Sequence, residues 1–199
     1  MKTTTQIKLE IDTAAAPVSE TMEALVMPVR ARTINYTAPV SRAQNDKVLR
    51  EMNRLLDESP EEEIGLFVTS PGGPTGTAMS FYDMVRHVLK ARVTTIGSGD
   101  VDSSGVIIFL TGETRFISAR TSLLFHPAGR IFGNQRYTTQ EMEAMLREDR
   151  LKDEQYASVV AGNSKGHLTT NDVLRLMRTH SVLSPTELMA YGLADAILP

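Results

Sequence analysis

The chain has 199 residues, 41% hydrophobic and 23% charged, with 21 Lys+Arg against 24 Asp+Glu and a formal net charge of −3. At roughly 100–200 residues per domain this is one domain with room for a substantial core. The absence of cysteine excludes thiol catalysis, thiolate zinc sites and disulfides together, and leaves four histidines, His87, His126, His167 and His180, for any imidazole chemistry. The mildly acidic balance carries no electrostatic footprint for nucleic acid. No apolar run approaches the roughly 18 residues of a membrane span, and polar residues follow Met1-Lys2 where a signal peptide would place an apolar stretch. The expectation is a cytoplasmic protein with no membrane and no nucleic-acid partner.

Residues 1–30 are poor in aromatics and interrupted by Pro17 and Pro28. Ile7, Leu9 and Ile11 alternate with polar residues, which fits either a short strand or an arm that depends on a partner. From Arg32 the pattern is regular. Residues 33–38 read as a strand, Ser41 as the N-cap of a helix, and Val48, Leu49, Met52, Leu55 and Leu56 as its apolar stripe. Residues 64–69 form a short apolar run, the mark of a buried strand, and lead into the break Ser70-Pro71-Gly72-Gly73-Pro74. A helix over about 76–90 follows, with Met79, Tyr82, Val85, Val88 and Leu89 facing inward, then a buried strand over 93–97.

The turn Gly99 to Gly105 precedes Val106-Ile107-Ile108-Phe109-Leu110, a stretch too apolar for an exposed element. Residues 115–117 and 122–125 read as further strands. Strands alternating with helical crossovers imply a parallel sheet and an α/β fold. Thr138 and Glu141 form a capping-box pattern that opens a helix ending near Gly162, read as a C′ glycine. Roughly 23 residues make about 35 Å, longer than one small domain needs, so this helix is expected to project. A helix over 170–178, another from Pro185 to Ala190 capped by Ser184, a stop at Gly192 and a last strand over 194–198 complete the chain.

Three segments carry residues suited to chemistry. In Ser70-Pro71-Gly72-Gly73 the glycines either make a plain tight turn or let backbone N–H groups approach a ligand. Ser103 and Ser104, between a strand and an apolar helix, read either as N-caps or as a nucleophilic hydroxyl beside an oxyanion-stabilising N–H. The spacing is not that of the G-x-S-x-G elbow. His126 ends a strand before Pro127-Ala128-Gly129, where an imidazole is either structural or within reach of a neighbouring site. His87 and His167 read as solvent-facing, and no ligand spacing suggests a metal or another cofactor.

The order of these segments resembles the Clp protease proteolytic subunit family. The matching residues are Ser70-Pro71-Gly72-Gly73, Tyr82-Asp83, Gly99 through Ser103 to Gly105, Arg115-Phe116, His126 and Tyr191-Gly192-Leu193-Ala194-Asp195. The resemblance covers about residues 31–199 and leaves 1–30 as a divergent segment, an axial loop or arm. It implies the α/β fold of the Clp protease and crotonase-like group, a repeated β-β-α spiral, with the helix over about 138–162 as a projecting handle. It further implies Ser103 as nucleophile, His126 as general base, and the N–H groups of Gly73 and Ser104 as the oxyanion hole. Counting back from Tyr191 puts His180 where the family has aspartate. A neutral His180 is then expected to accept the His126 Nδ1–H bond and fix its tautomer, while supplying less negative potential than a carboxylate. Asp172, eight residues upstream, is too far along its helix to substitute.

What the resemblance implies is a serine endopeptidase that cuts unfolded polypeptides inside a homo-oligomeric chamber of stacked heptameric rings. Its implied partners are an AAA+ unfoldase or a second Clp-like subunit. Two other readings stand beside it: a catalytically impaired Clp-like subunit, and a crotonase-type acyl-CoA enzyme, which would make no use of a Ser-His pair.

Overall fold

Strands covered on both faces read as near-continuous apolar runs, and the buried run 64–70 stands inside the main sheet of this protein, beside an edge strand of alternating burial. The computed structural model describes residues 27–199; the strand expected around Ile7, Leu9 and Ile11, and most of the expected arm, lie outside the described residues. The strands are β1 (Thr33–Thr37), β2 (Ile64–Ser70), β3 (Val93–Val101), β4 (Thr114–Ser118), β5 (Leu123–Leu124), β6 (Val182–Leu183) and β7 (Ala196–Leu198). The main sheet has the order β1-β2-β3-β4-β7, and every neighbouring pair is parallel. Its register is set by Ile34 opposite Leu66, Leu66 opposite Thr95, and Thr95 opposite Arg115. A register shift between Val68 and Ser70 sets Ser70 opposite Val101. The carboxyl ends of these two central strands therefore deliver their turns side by side. Strands β5 and β6 form a separate antiparallel pair.

The helices are α1 (Arg42–Glu58), α2 (Thr75–Asp83), α3 (Gly105–Phe109), α4 (Thr139–Gly162), α5 (Thr170–Arg178) and α6 (Pro185–Ala190). Ser41 caps α1 by accepting from the Gln44 N–H. Capping boxes open α4 at Thr138 and Glu141, and α6 at Ser184 and Glu187, as their spacing predicts. A third, at Thr169 and Asp172, opens α5 and uses the Asp172 carboxylate. All five residues of α3 are buried, in accord with its unbroken apolar sequence.

Two expectations about helices are corrected. The helix expected over 76–90 passes at Met84 into a π-helical turn, Met84–Leu89, closed by Lys90 in the left-handed region. The wider turn rotates the apolar stripe, so Ala78, Phe81 and Val85 are buried while Val88 is exposed. Gly162 is the last helical residue of α4 and not its C′ glycine; Asn163 is the cap, and Lys165 and Gly166 adopt the positive φ that turns the chain. The final strand is also shorter than expected, beginning at Ala196.

A buried guanidinium joins the sheet to the helices. Arg115 on β4 donates to the carbonyl of Asn163 at 2.7 Å, past the end of α4, and to that of Gly192 at 3.2 Å, past the end of α6. Its backbone N–H donates to Asp195 at 2.8 Å. Removing the guanidinium leaves one buried and one partly buried carbonyl without donors, and such groups are costly. Arg115→Met is expected to lower unfolding stability by about 2–3 kcal/mol, as read by chemical denaturation.

Candidate active site

Two turns meet at the carboxyl ends of β2 and β3, the usual location of sites in open parallel sheets. Backbone hydrogen bonds fix their approach: Asp102 N–H donates to Ser70 O at 2.8 Å, and Val40 N–H to Gly72 O at 2.8 Å. The contact is close enough to require glycine. A Cβ on Gly72 would lie 2.6 Å from the Cβ of Ser103, and one on Gly73 would lie 2.4 Å from the Val40 carbonyl oxygen. Ser104, buried, donates from its hydroxyl to the Gly73 carbonyl at 2.9 Å and ties the turns together. Neither the Gly73 N–H nor the Ser104 N–H has an acceptor among the described residues. Both are free to receive one.

Ser103 adopts φ +54°, in the left-handed region that non-glycine residues seldom occupy. The surrounding structure over-determines this conformation. Ser103 N–H donates to the Leu124 carbonyl at 2.8 Å, and its carbonyl accepts from Val106 N–H at 3.1 Å and from the Tyr156 hydroxyl at 3.0 Å. Tyr156, on α4, is buried and packs edge-to-face on Phe125, with ring centroids 6.2 Å apart. The Ser103 side chain is thereby lifted out of the chain path on a strained turn, much as the hydroxyl of a nucleophile elbow is.

His126 follows β5 and is half-buried. It lines, with Ser103 and Gly73, one cleft of about 460 Å³. No Ser103–His126 hydrogen bond is present among the described residues; such bonds often tighten only when substrate binds. His126 Nδ1 lies 2.8 Å from the Pro127 carbonyl oxygen. A carbonyl only accepts, so Nδ1 carries the proton and Nε2 keeps its lone pair for the cleft.

The expected hydrogen bond from His126 Nδ1 to His180 is therefore replaced by one to Pro127. His180 does come close: Phe125 N–H donates to Ser181 O at 2.8 Å, and the β5–β6 pairing brings the two loops together. The rings are stacked, with centroids 6.1 Å apart and planes inclined by 14°. The ring planes are thus nearly parallel, and no hydrogen bond joins the two imidazoles among the described residues. His180 sits at φ +50° and is exposed. Asp172 is occupied in the capping box of α5. His87 and His167 are both exposed.

Sequence reading missed two carboxylates here. Asp102 Oδ1 accepts from Leu124 N–H at 3.0 Å, and Asp153 Oδ1, on α4, accepts from Ala128 N–H at 2.7 Å. Burial holds both carboxyls above their ordinary range, helped by Asp100 beside Asp102 and Asp149 beside Asp153, and only partly opposed by the donated N–H and the charge of His126. Asp102 was visible as the neighbour of Ser103, but nothing in the spacing from 128 to 153 reveals the second pairing. Arg130 in turn holds the His126 loop to α4, donating to Asp149 at 2.8 and 3.0 Å and to Glu148 at 2.6 Å. No cluster of three or more metal-ligating side chains occurs among the described residues.

A parallel sheet with helical crossovers, a serine on a left-handed turn beside two free N–H groups, and a histidine across the cleft place this chain in the α/β Clp protease and crotonase-like fold group. The family model described as Clp protease matches residues 18–199, and the chain belongs to that family. It is 26% identical over 210 residues to the ATP-dependent Clp protease proteolytic subunit 4, chloroplastic, of Arabidopsis thaliana, covering 100% of this chain and 70% of the relative. It is 26% identical over 173 residues to the ATP-dependent Clp protease proteolytic subunit of Deinococcus radiodurans, covering 85% and 81%. Among the described residues no helix is long and apolar enough to cross a membrane.

The strain at position 103 is open to measurement. Glycine tolerates positive φ and alanine does not, so Ser103→Gly is expected to be more stable than Ser103→Ala by about 1 kcal/mol. The comparison is made by denaturant unfolding of the two variants.

Proposed function

We propose that this protein is a Clp-type serine endopeptidase that hydrolyses peptide bonds of unfolded polypeptides through an acyl-enzyme. Ser103 Oγ attacks the scissile carbonyl, His126 Nε2 takes its proton and later returns it to the leaving amine, and the Gly73 and Ser104 N–H groups receive the oxyanion. His180 holds the third position by stacking on the His126 ring and keeping its plane. The observation that carries this reading is Ser103 on its left-handed turn, sharing one cleft with His126 and two N–H groups without acceptors. Family membership favours peptide-bond chemistry over acyl-CoA chemistry. The impaired-subunit reading draws on one observation, that position 180 holds an exposed imidazole where the family resemblance calls for aspartate.

The experiment is active-site labelling. A fluorophosphonate probe is expected to modify Ser103 stoichiometrically, with Ser103→Ala losing both labelling and peptide cleavage. A folded, assembled protein that takes no label would overturn the peptidase and leave the impaired subunit.

Members of this family are oligomeric and act on polypeptides. For this chain we propose a cytoplasmic homo-oligomeric chamber, built as stacked heptameric rings over residues 31–199 and joined through α4. An AAA+ unfoldase or a second Clp-like subunit is its partner, and residues 1–30 form the axial segment. Support comes from the outer part of α4 and the loop before it, where Ile131, Phe132, Met142, Leu146 and Leu151 are all exposed. Such apolar side chains are covered when α4 packs on another copy. Met142→Asp with Leu146→Asp is expected to shift the sedimentation profile to smaller species while leaving each subunit folded; an unchanged profile would remove α4 from the assembly contact.

A further inference from the structure

We infer that Asp102 and Asp153 are the positioning groups of His126, supplying between them the hold on its segment and the negative charge that a single carboxylate at position 180 would supply. This rests on the peptidase reading for its catalytic meaning, though not for its geometry. The two carboxylates act symmetrically. Asp102 accepts from the N–H of Leu124, two residues before His126, and Asp153 accepts from the N–H of Ala128, two residues after it. The segment that presents the imidazole is thus held at both ends. One clamp comes from the turn that carries Ser103 itself, the other from α4, whose Tyr156 also holds the Ser103 carbonyl.

A third group in a serine mechanism has two tasks: to fix the tautomer of the base and to stabilise the imidazolium that forms in the transition state. The Pro127 carbonyl performs the first, by accepting from Nδ1. It is uncharged, and so contributes little to the second. His180 carries no negative charge either. The nearby charges sort themselves clearly. Arg130 from the histidine's own loop is paired with Asp149 and Glu148 on α4, and Lys152 with Glu148. Asp102 and Asp153 form no ion pair with Lys or Arg among the described residues. Each is partly buried; Asp100 adds like charge beside Asp102 and Asp149 beside Asp153, and the charge on His126 acts on both. The imidazolium is the cation these two carboxylates are placed to stabilise.

The test is a histidine titration by NMR on the whole protein with ¹³C-labelled histidine, following the His126 Cε1–H signal. Asp102→Asn and Asp153→Asn keep an oxygen for the N–H clamp and remove the charge. Each is expected to move the His126 midpoint down by about one pH unit, and the double variant further. Peptide turnover should fall about tenfold in each, with KM within about twofold, because the charge acts on the imidazolium of the transition state. His180→Ala is expected to move the midpoint less than either. An unmoved midpoint in the two Asn variants overturns the inference. Should those variants fail to fold, the unaltered protein supplies the reading: screening at about 1 M salt lowers the midpoint if the carboxylates act, and a salt-independent midpoint overturns them. The titration needs no activity. Absent Ser103 labelling would sink the peptidase reading, whereas an unmoved midpoint would sink this one.

Discussion

Leu124 is gripped from both sides by one turn, and the rest of the site hangs on that grip. Its carbonyl accepts the Ser103 N–H and its own N–H donates to the Asp102 carboxylate. One residue on, Phe125 binds the Ser181 carbonyl; two residues on stands His126. A single residue thus docks the serine turn against β5 and hands the chain on toward the histidine. The bonds are individually modest, about 1 kcal/mol net each, but they are geometric instructions as much as energy. They hold Ser103 in a conformation that it would leave if the turn were free.

The opposite wall of the site is α4, and the helix divides in function along its length. Its inner part carries Asp153, Tyr156 and the buried Val160 toward the body of the protein, and Asn163 beyond its end binds the Tyr82 hydroxyl and, through its carbonyl, Arg115. Its outer part presents Met142 and Leu146 to solvent. The capping box at Thr138 secures an N-terminus that little else in the chain supports. Twenty-four residues in one helix, about 36 Å, therefore join the clamp on the histidine loop to an exposed apolar surface.

The fold was legible because its signals are local. Parallel strands announce themselves as apolar runs, caps as Ser or Thr three residues before Glu, and the close turn at 70–73 as paired glycines. The places where reading failed are those where a tertiary contact or a backbone detail decides. A π turn at Met84 cannot be told from an α turn by its residues, so Val88 changes face. That Ser103 and His126 share one cleft was signalled by the order of their segments along the chain. The partner of His126 was not, since the Pro127 carbonyl has no side-chain signature, and Asp153 reaches Ala128 across 25 residues of sequence. The order of the segments points to residue 180, whereas the carboxylates that hold the ends of the His126 segment belong to the turn at 102 and to α4 at 153.

The close approach of Gly72 to Ser103 bears on the life of the chain before it is native. The bond from Ser104 to Gly73 spans 31 residues, and that from Tyr156 to Ser103 spans 53. The first cannot form until the crossover from β2 to β3 has closed, and the second not until α4 has returned to the body, which makes the fully held turn a late product of folding. Until then Ser103 is free to relax to an ordinary conformation, its neighbouring N–H groups are solvated, and the imidazole is unclamped. A nascent chain carries every residue of the cleft and none of its geometry.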